Sequence, residues 1–207
     1  AAVQLRAVAL NVAFVSVTST TQTLDSTGVA AAAHALSMQL WQLGGVILFA
    51  MSTVAAIVVP SELGRSGGGR AVARVAASRL LFWGLLLGSA LGGLQLLALP
   101  LLRIFSPLPD VQSAARLPSI LGAALQLING VVFIGEGVML GTGSFGPLAA
   151  GTCIATAGML ACLRTLPASL VSVWLSFWAF NLLRLASVLR HHFFTGPLVA
   201  KPTADDA

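Results

Sequence analysis

Charged residues interrupt this chain so rarely that five uncharged runs, 26–61, 80–102, 117–135, 137–163 and 165–183, cover most of its length. Within them apolar residues are nearly continuous and do not alternate with polar ones, which excludes the strand pattern of a membrane barrel. A helix needs roughly 20 apolar residues to cross about 30 Å of hydrocarbon. Divided at its turn signals, the pattern predicts six helical spans, at about 7–24, 30–59, 80–102, 117–140, 147–163 and 169–189. The first begins apolar and fades into the polar "SVTSTTQTLD". "STG" makes a turn before the second span, which Pro60 is expected to close. The longest polar connection is "SELGRSGGGRAVARVAASR", 61–79. "SPLPD" (106–110) and "RTLPAS" read as turns, and "GTGSFG" as a tight one with Pro147 in the first turn of the fifth span. Gly84, Gly88 and Gly92 recur every fourth residue, spacing that lets another helix approach closely.

Composition agrees with this reading. Hydrophobic residues form 57% of the 207 and charged residues 8%, with a mean hydropathy of +0.94. A soluble domain is about a quarter charged, so the fold class is an all-α, polytopic membrane protein with the bilayer as its first partner. The two cysteines, Cys153 and Cys162, fall in one predicted helix, about 13 Å apart by helix rise. That is too far for a mutual disulfide, and small apolar packing residues are the expected role. No metal-ligand spacing of Cys and His occurs. Nothing near Ala1 resembles a cleavable leader before a soluble domain, and the expectation is the remainder of a longer product.

A net charge of +5 and a pI near 11.1 are compatible in principle with nucleic acid. Here, however, the basic residues are not interleaved with aromatics. They sit at the ends of apolar runs, as the positive-inside rule expects. Six spans put residues 1 and 190 on one side, taken as cytoplasmic, with a tail at 191–207. Arg6, Arg65, Arg70, Arg74, Arg79, Arg190 and Lys201 then lie inside, against Arg103, Arg116 and Arg164 outside.

Polar groups inside a bilayer are costly and mark function or packing. Gln126, Asn129, Phe133 and Glu136 are spaced 3, 4 and 3, one stripe on the fourth helix. This stripe is expected to line a solute path, with Glu136 able to carry a proton. The competing reading puts Glu136 near the inner interface, solvated or paired with a loop arginine. His34, in "VAAAAHALSMQLWQL", is a second proton-linked candidate, for which a structural hydrogen-bonded role competes. Gln39 and Gln42 beside it are expected to line the solute path with the residues of the fourth-helix stripe. Arg184 belongs to the stripe Trp174, Phe177, Asn181, Arg184 and is expected to snorkel to the interface. No catalytic constellation or cofactor site emerges, so an enzyme is not expected.

Four segments together resemble the multidrug and toxic compound extrusion (MATE) family. "VAAAAHALSMQLWQL" is similar to the start of its eighth helix, and "SELGRSGGGRAVAR" to an inside loop of the form G-x-x-LGxG. "LPLLRIFSPLPDVQSAA" is similar to its LF-x-D-x-x-V outside turn. "LINGVVFIGEGVMLGTGSF" resembles the G-x-G-ending segment of the branch that includes the DNA-damage-inducible bacterial member and plant relatives. There Glu136 stands where an aspartate is usual. The resemblance runs from about residue 5 to 190 and implies helices seven to twelve, the C-terminal lobe (1–190) of a two-lobed antiporter. Such proteins exchange an organic solute for H⁺ or Na⁺. It also implies a partner: an N-terminal six-helix lobe or a second copy of this chain. The plasma membrane and an organelle (plastid) envelope both remain open as its location. Two positions depart from the family. Ala13 stands near the place of a seventh-helix glutamate, and Asn129 near that of a fourth-span aspartate. A truncated, non-transporting membrane protein or assembly partner is the alternative.

Overall fold

The computed structural model describes residues 1–67 and 69–199. Six helices are long and apolar enough to cross a membrane: α1 (Ala2–Gln22), α2 (Val29–Gly64), α3 (Arg70–Leu97), α4 (Pro109–Gly141), α5 (Phe145–Thr165) and α6 (Leu170–Arg190). A 3-10 turn, Leu99–Leu101, and one helical turn, Leu102–Phe105, join α3 to α4, and a π-turn, His191–Thr195, extends α6. There is no strand among the described residues, so the chain is all-α and polytopic. Of the expected tail, 200–207 lies outside the described residues.

Several boundaries differ from the sequence expectation. α1 begins at Ala2, not near 7, and α3 ends at Leu97, not near 102. Three further shifts have a clear local reason. Pro60 does not close α2, which continues to Gly64. A proline removes one helical hydrogen bond, and here the freed Ala56 carbonyl lies against Gly141 of α4. The connection expected over 61–79 shrinks to 65–69, because α3 begins at Arg70. Ala and Arg favour helix, and Ala73 and Ala77 bury against Ala55 and Val59 of α2. Finally, α4 starts at Pro109, not near 117, with Pro at its first position and Asp110 in its first turn. Both suit a helix N-terminus. The turn "GTGSFG" forms as expected: Gly143 takes φ +70°, and Ser144 N–H closes back to the Met139 carbonyl at 2.8 Å.

α4 is the hub, in contact with α2, α3 and α6, while α1 packs mainly on α5. Small residues make this possible. A Cβ on Gly84, Gly88 or Gly92 of α3 would overlap the main-chain oxygens of Gly130, Gln126 and Ala123 on α4, so the glycine stripe is a helix-packing seam. An aromatic core forms from Trp41, Trp174, Phe177 and Phe180, with Met159 and Leu125. Outward, large apolar side chains such as Val46, Phe49, Ile57 and Leu94 are exposed, as a lipid-facing surface requires. Asp25 fixes the α1–α2 turn by accepting hydrogen bonds from the N–H groups of Gly28 (2.6 Å) and Ala30 (2.8 Å) and from the Thr27 hydroxyl (2.9 Å).

Candidate functional site

Successive spans run in opposite directions, so the N-termini of α1, α3 and α5 lie at the same end as the C-termini of α2, α4 and α6. Glu136 is five residues before the end of α4, Arg184 six before the end of α6, and Arg6 four after the start of α1. With 1.5 Å per residue, all three fall within about 10 Å of that basic end. They meet there. Glu136 Oε1 accepts from Arg184 Nε at 2.8 Å, and Oε2 accepts from Arg184 Nη2 at 2.9 Å and from Arg6 Nη2 at 2.6 Å. The Arg184–Glu136 pair is therefore bidentate, the strongest geometry for this ion pair.

The surroundings of the pair hold it in place. Arg184 Nη1 donates to Asn181 Oδ1 at 3.1 Å, and Asn181 donates in turn to the Phe177 carbonyl at 2.9 Å. The guanidinium carbon sits 5.1 Å from the Phe180 ring centre and 5.5 Å from that of Phe133, within cation–π range. Arg184 is buried, 5% exposed, so it does not snorkel. A guanidinium so close to its helix end could have reached water, but the Glu136 carboxylate and two aromatic faces hold it inward. Glu136 is equally enclosed, and its partners come from helices and not from a loop. Arg6 is the more accessible member, with its side chain 23% exposed. Two guanidinium groups share one carboxylate, which leaves the cluster with one positive charge in excess.

The remaining members of the α4 stripe lie further into the bundle. Gln126 Nε2 donates to the Trp41 carbonyl of α2 at 2.7 Å and lies 3.5 Å from Gln95 Oε1 of α3. Gln95 donates to the Ser119 carbonyl at 3.1 Å, and the Ser119 and Ser37 hydroxyls pair at 3.0 Å. Asn129 is completely buried, yet neither of its amide atoms has a partner among the described residues. Phe133 is half-buried over Arg184.

His34, by contrast, is far from Glu136. Gln126 is level with Trp41, so counting residues along α2 and α4 puts His34 and Glu136 about 25 Å apart along the bundle. The His34 ring lies 6.0 Å from Trp174 and 6.3 Å from Phe177. It borders a cleft of about 340 Å³ shared with Phe14, Thr21, Met38 and Gln42. Gln42 and Gln39 are both exposed. The structure thus gathers Phe133 and Glu136 into one cluster, sets Gln126 and Asn129 deeper, and leaves His34, Gln39 and Gln42 apart.

Sequence reasoning missed Arg184 and Arg6 as partners of Glu136, and Gln95, Ser37 and Ser119 as partners in the inner polar chain. One signal was available. In a six-span topology Glu136, Arg184 and Arg6 occupy similar depths at one end, and opposite charges at equal depth inside a membrane seek each other. Cys153 and Cys162 are free thiols. No family model, no curated protein and no solved structure matches this chain.

Proposed function

We propose that the chain is a six-helix lobe of a cation-coupled transporter that moves an organic solute by alternating access, with H⁺ or Na⁺ as the driving ion. The observation that carries this reading is the polar content of α4 inside an otherwise apolar bundle. Glu136 bridges α1, α4 and α6 through two arginines, and Asn129 keeps an unsatisfied amide two turns away on the same face. Buried ionisable residues within spans mark solute and ion paths, and an unsatisfied buried amide costs roughly 1–3 kcal/mol. A residue retained at that cost is expected to find its partner in another conformation. A proton arriving at Glu136 would weaken three charge-assisted bonds together and free α1 and α6 from α4. The second lobe, a six-helix partner or a second copy, would complete the cavity between repeats.

One observation favours a second reading, a non-transporting membrane protein. Glu136 has all three of its contacts satisfied, and the two from Arg184 are buried, which suits a static clamp. Flux in proteoliposomes of Glu136→Gln and Asn129→Leu variants separates the two. A transporter loses gradient-driven flux in Asn129→Leu while its helicity and melting are kept. A clamp shows no gradient-driven flux in any form.

A further inference from the structure

The basic end carries a second cationic feature that the Glu136 cluster does not use. On the outer surface of α3 a cleft of about 400 Å³ is lined by Arg74, Val75, Ser78, Arg79, Phe82 and Trp83. These positions repeat every four residues, so they form one continuous helical face. Beside them the π-turn folds back: His192 Nε2 lies 3.2 Å from the Ser78 hydroxyl, and Leu198 buries against α2, α3 and α4. The Ser78 side chain at the edge of the cleft is therefore held in place.

Depth sorts the face into two layers. From Leu80 to the end of α3 at Leu97 the chain is uncharged, a stretch of about 27 Å and close to the thickness of the hydrocarbon. Arg79 then stands at the hydrocarbon boundary, and Arg74 about 7 Å above it in the headgroup layer. Phe82 and Trp83 lie one turn below the boundary, 57% and 59% exposed. Charge separates this face from a generic interface. Among the described residues Glu62 is taken by Arg65 and Glu136 by Arg184 and Arg6, and no carboxylate lies within 4.0 Å of Arg74 or Arg79.

We infer that this face binds an anionic phospholipid of the leaflet at the basic end, with its phosphate between Arg74 and Arg79 and an acyl chain along Phe82 and Trp83. Two cations stacked above two exposed aromatic rings match a headgroup above a tail. A small free anion would leave the aromatic half of the cleft without a role.

The test uses the full chain in an uncharged detergent, titrated with dioleoyl phosphatidylglycerol or dioleoyl phosphatidylcholine and read by native mass spectrometry. The protein is expected to bind the anionic lipid in preference. Arg74→Gln with Arg79→Gln should weaken it roughly 20- to 30-fold, since each arginine near an anionic lipid contributes roughly fivefold. Arg79→Gln alone, at an exposed position, gives about fivefold and serves if the double variant does not fold. Arg103→Gln with Arg116→Gln, at the opposite end, should keep the preference. Equal binding of the two lipids, or a preference unchanged in Arg74→Gln/Arg79→Gln, would overturn the assignment. So would displacement of the lipid by glycerol phosphate at matching concentration, which would mean that the cleft reads a free anion.

Discussion

Replacing Arg184 with methionine tests whether the Glu136 cluster holds the bundle together. Of the three hydrogen bonds that Glu136 accepts, two come from Arg184, at 2.8 and 2.9 Å, and only the 2.6 Å bond from Arg6 would remain. Methionine keeps most of the volume between Phe133 and Phe180, so the loss is mainly electrostatic. Removing one partner of a buried ion pair costs about 3–5 kcal/mol when the other charge is left without compensation. Arg6 still pairs with Glu136 here, so the cost is expected at the lower end of that range. Glu136→Leu alone is costly too, since it strands the buried Arg184. The double variant, Glu136→Leu with Arg184→Met, removes both buried charges and leaves only Arg6, whose accessible side chain can turn to water. Its cost is therefore well below the sum of the single costs. A double-mutant cycle measured by denaturant unfolding in mixed micelles, followed by tryptophan fluorescence, should give a coupling energy above about 1 kcal/mol. Additive costs, or an Arg184→Met protein as stable as the parent, would refute the reasoning.

Other outcomes follow from the same geometry. Arg6→Gln, which removes one bond from a partly exposed side chain, should cost about 1 kcal/mol in the same unfolding assay. Gly88→Ala should cost about 1–3 kcal/mol by forcing α3 off the Gln126 carbonyl. Gly93→Ala, where no atom lies within 4 Å of the added carbon, should be tolerated; equal melting shifts for the two would contradict the packing seam. Asn129→Leu removes an unpartnered buried amide and should leave melting unchanged or raise stability by about 1 kcal/mol. Asp25 is held below its ordinary carboxyl value of 3.8, chiefly by the Ala30 N–H and then by the Thr27 hydroxyl. A depressed carboxyl stabilises the fold above its unfolded pKa and loses that contribution as pH falls through the folded value. The melting advantage of the parent over Asp25→Asn should therefore be full near pH 6 and shrink below about pH 4; an advantage that grows in acid would contradict the cap.

The existence and number of the spans were legible because hydrocarbon thickness leaves little choice once the apolar runs are long. Their ends were less so. Pro60 and the arginines of 65–79 read as breaks, yet Gly141 covers the Ala56 carbonyl freed by Pro60, and Ala73 and Ala77 supply a buried face to a basic helix. The glycine seam at 84, 88 and 92 was visible because spacing within one helix reports a face directly. Pairing between helices is different. Arg184 and Arg6 lie 48 and 130 residues from Glu136, and periodicity along one helix cannot say which side chain of another it meets. Charge and depth carried that information. The snorkelling expectation for Arg184 weighed its depth alone and left out the carboxylate at the same level.

Flux under an imposed gradient tests the central claim most directly. Proteoliposomes carrying the protein in its native full form would be loaded with a panel of fluorescent organic cations and anions, then given an inward or outward pH or Na⁺ gradient. The account predicts gradient-driven movement of at least one solute, abolished by Glu136→Gln in protein that still folds and lost in Asn129→Leu in protein that keeps its parent melting. Solute movement that ignores both gradients, or that survives unchanged in both variants, would contradict it.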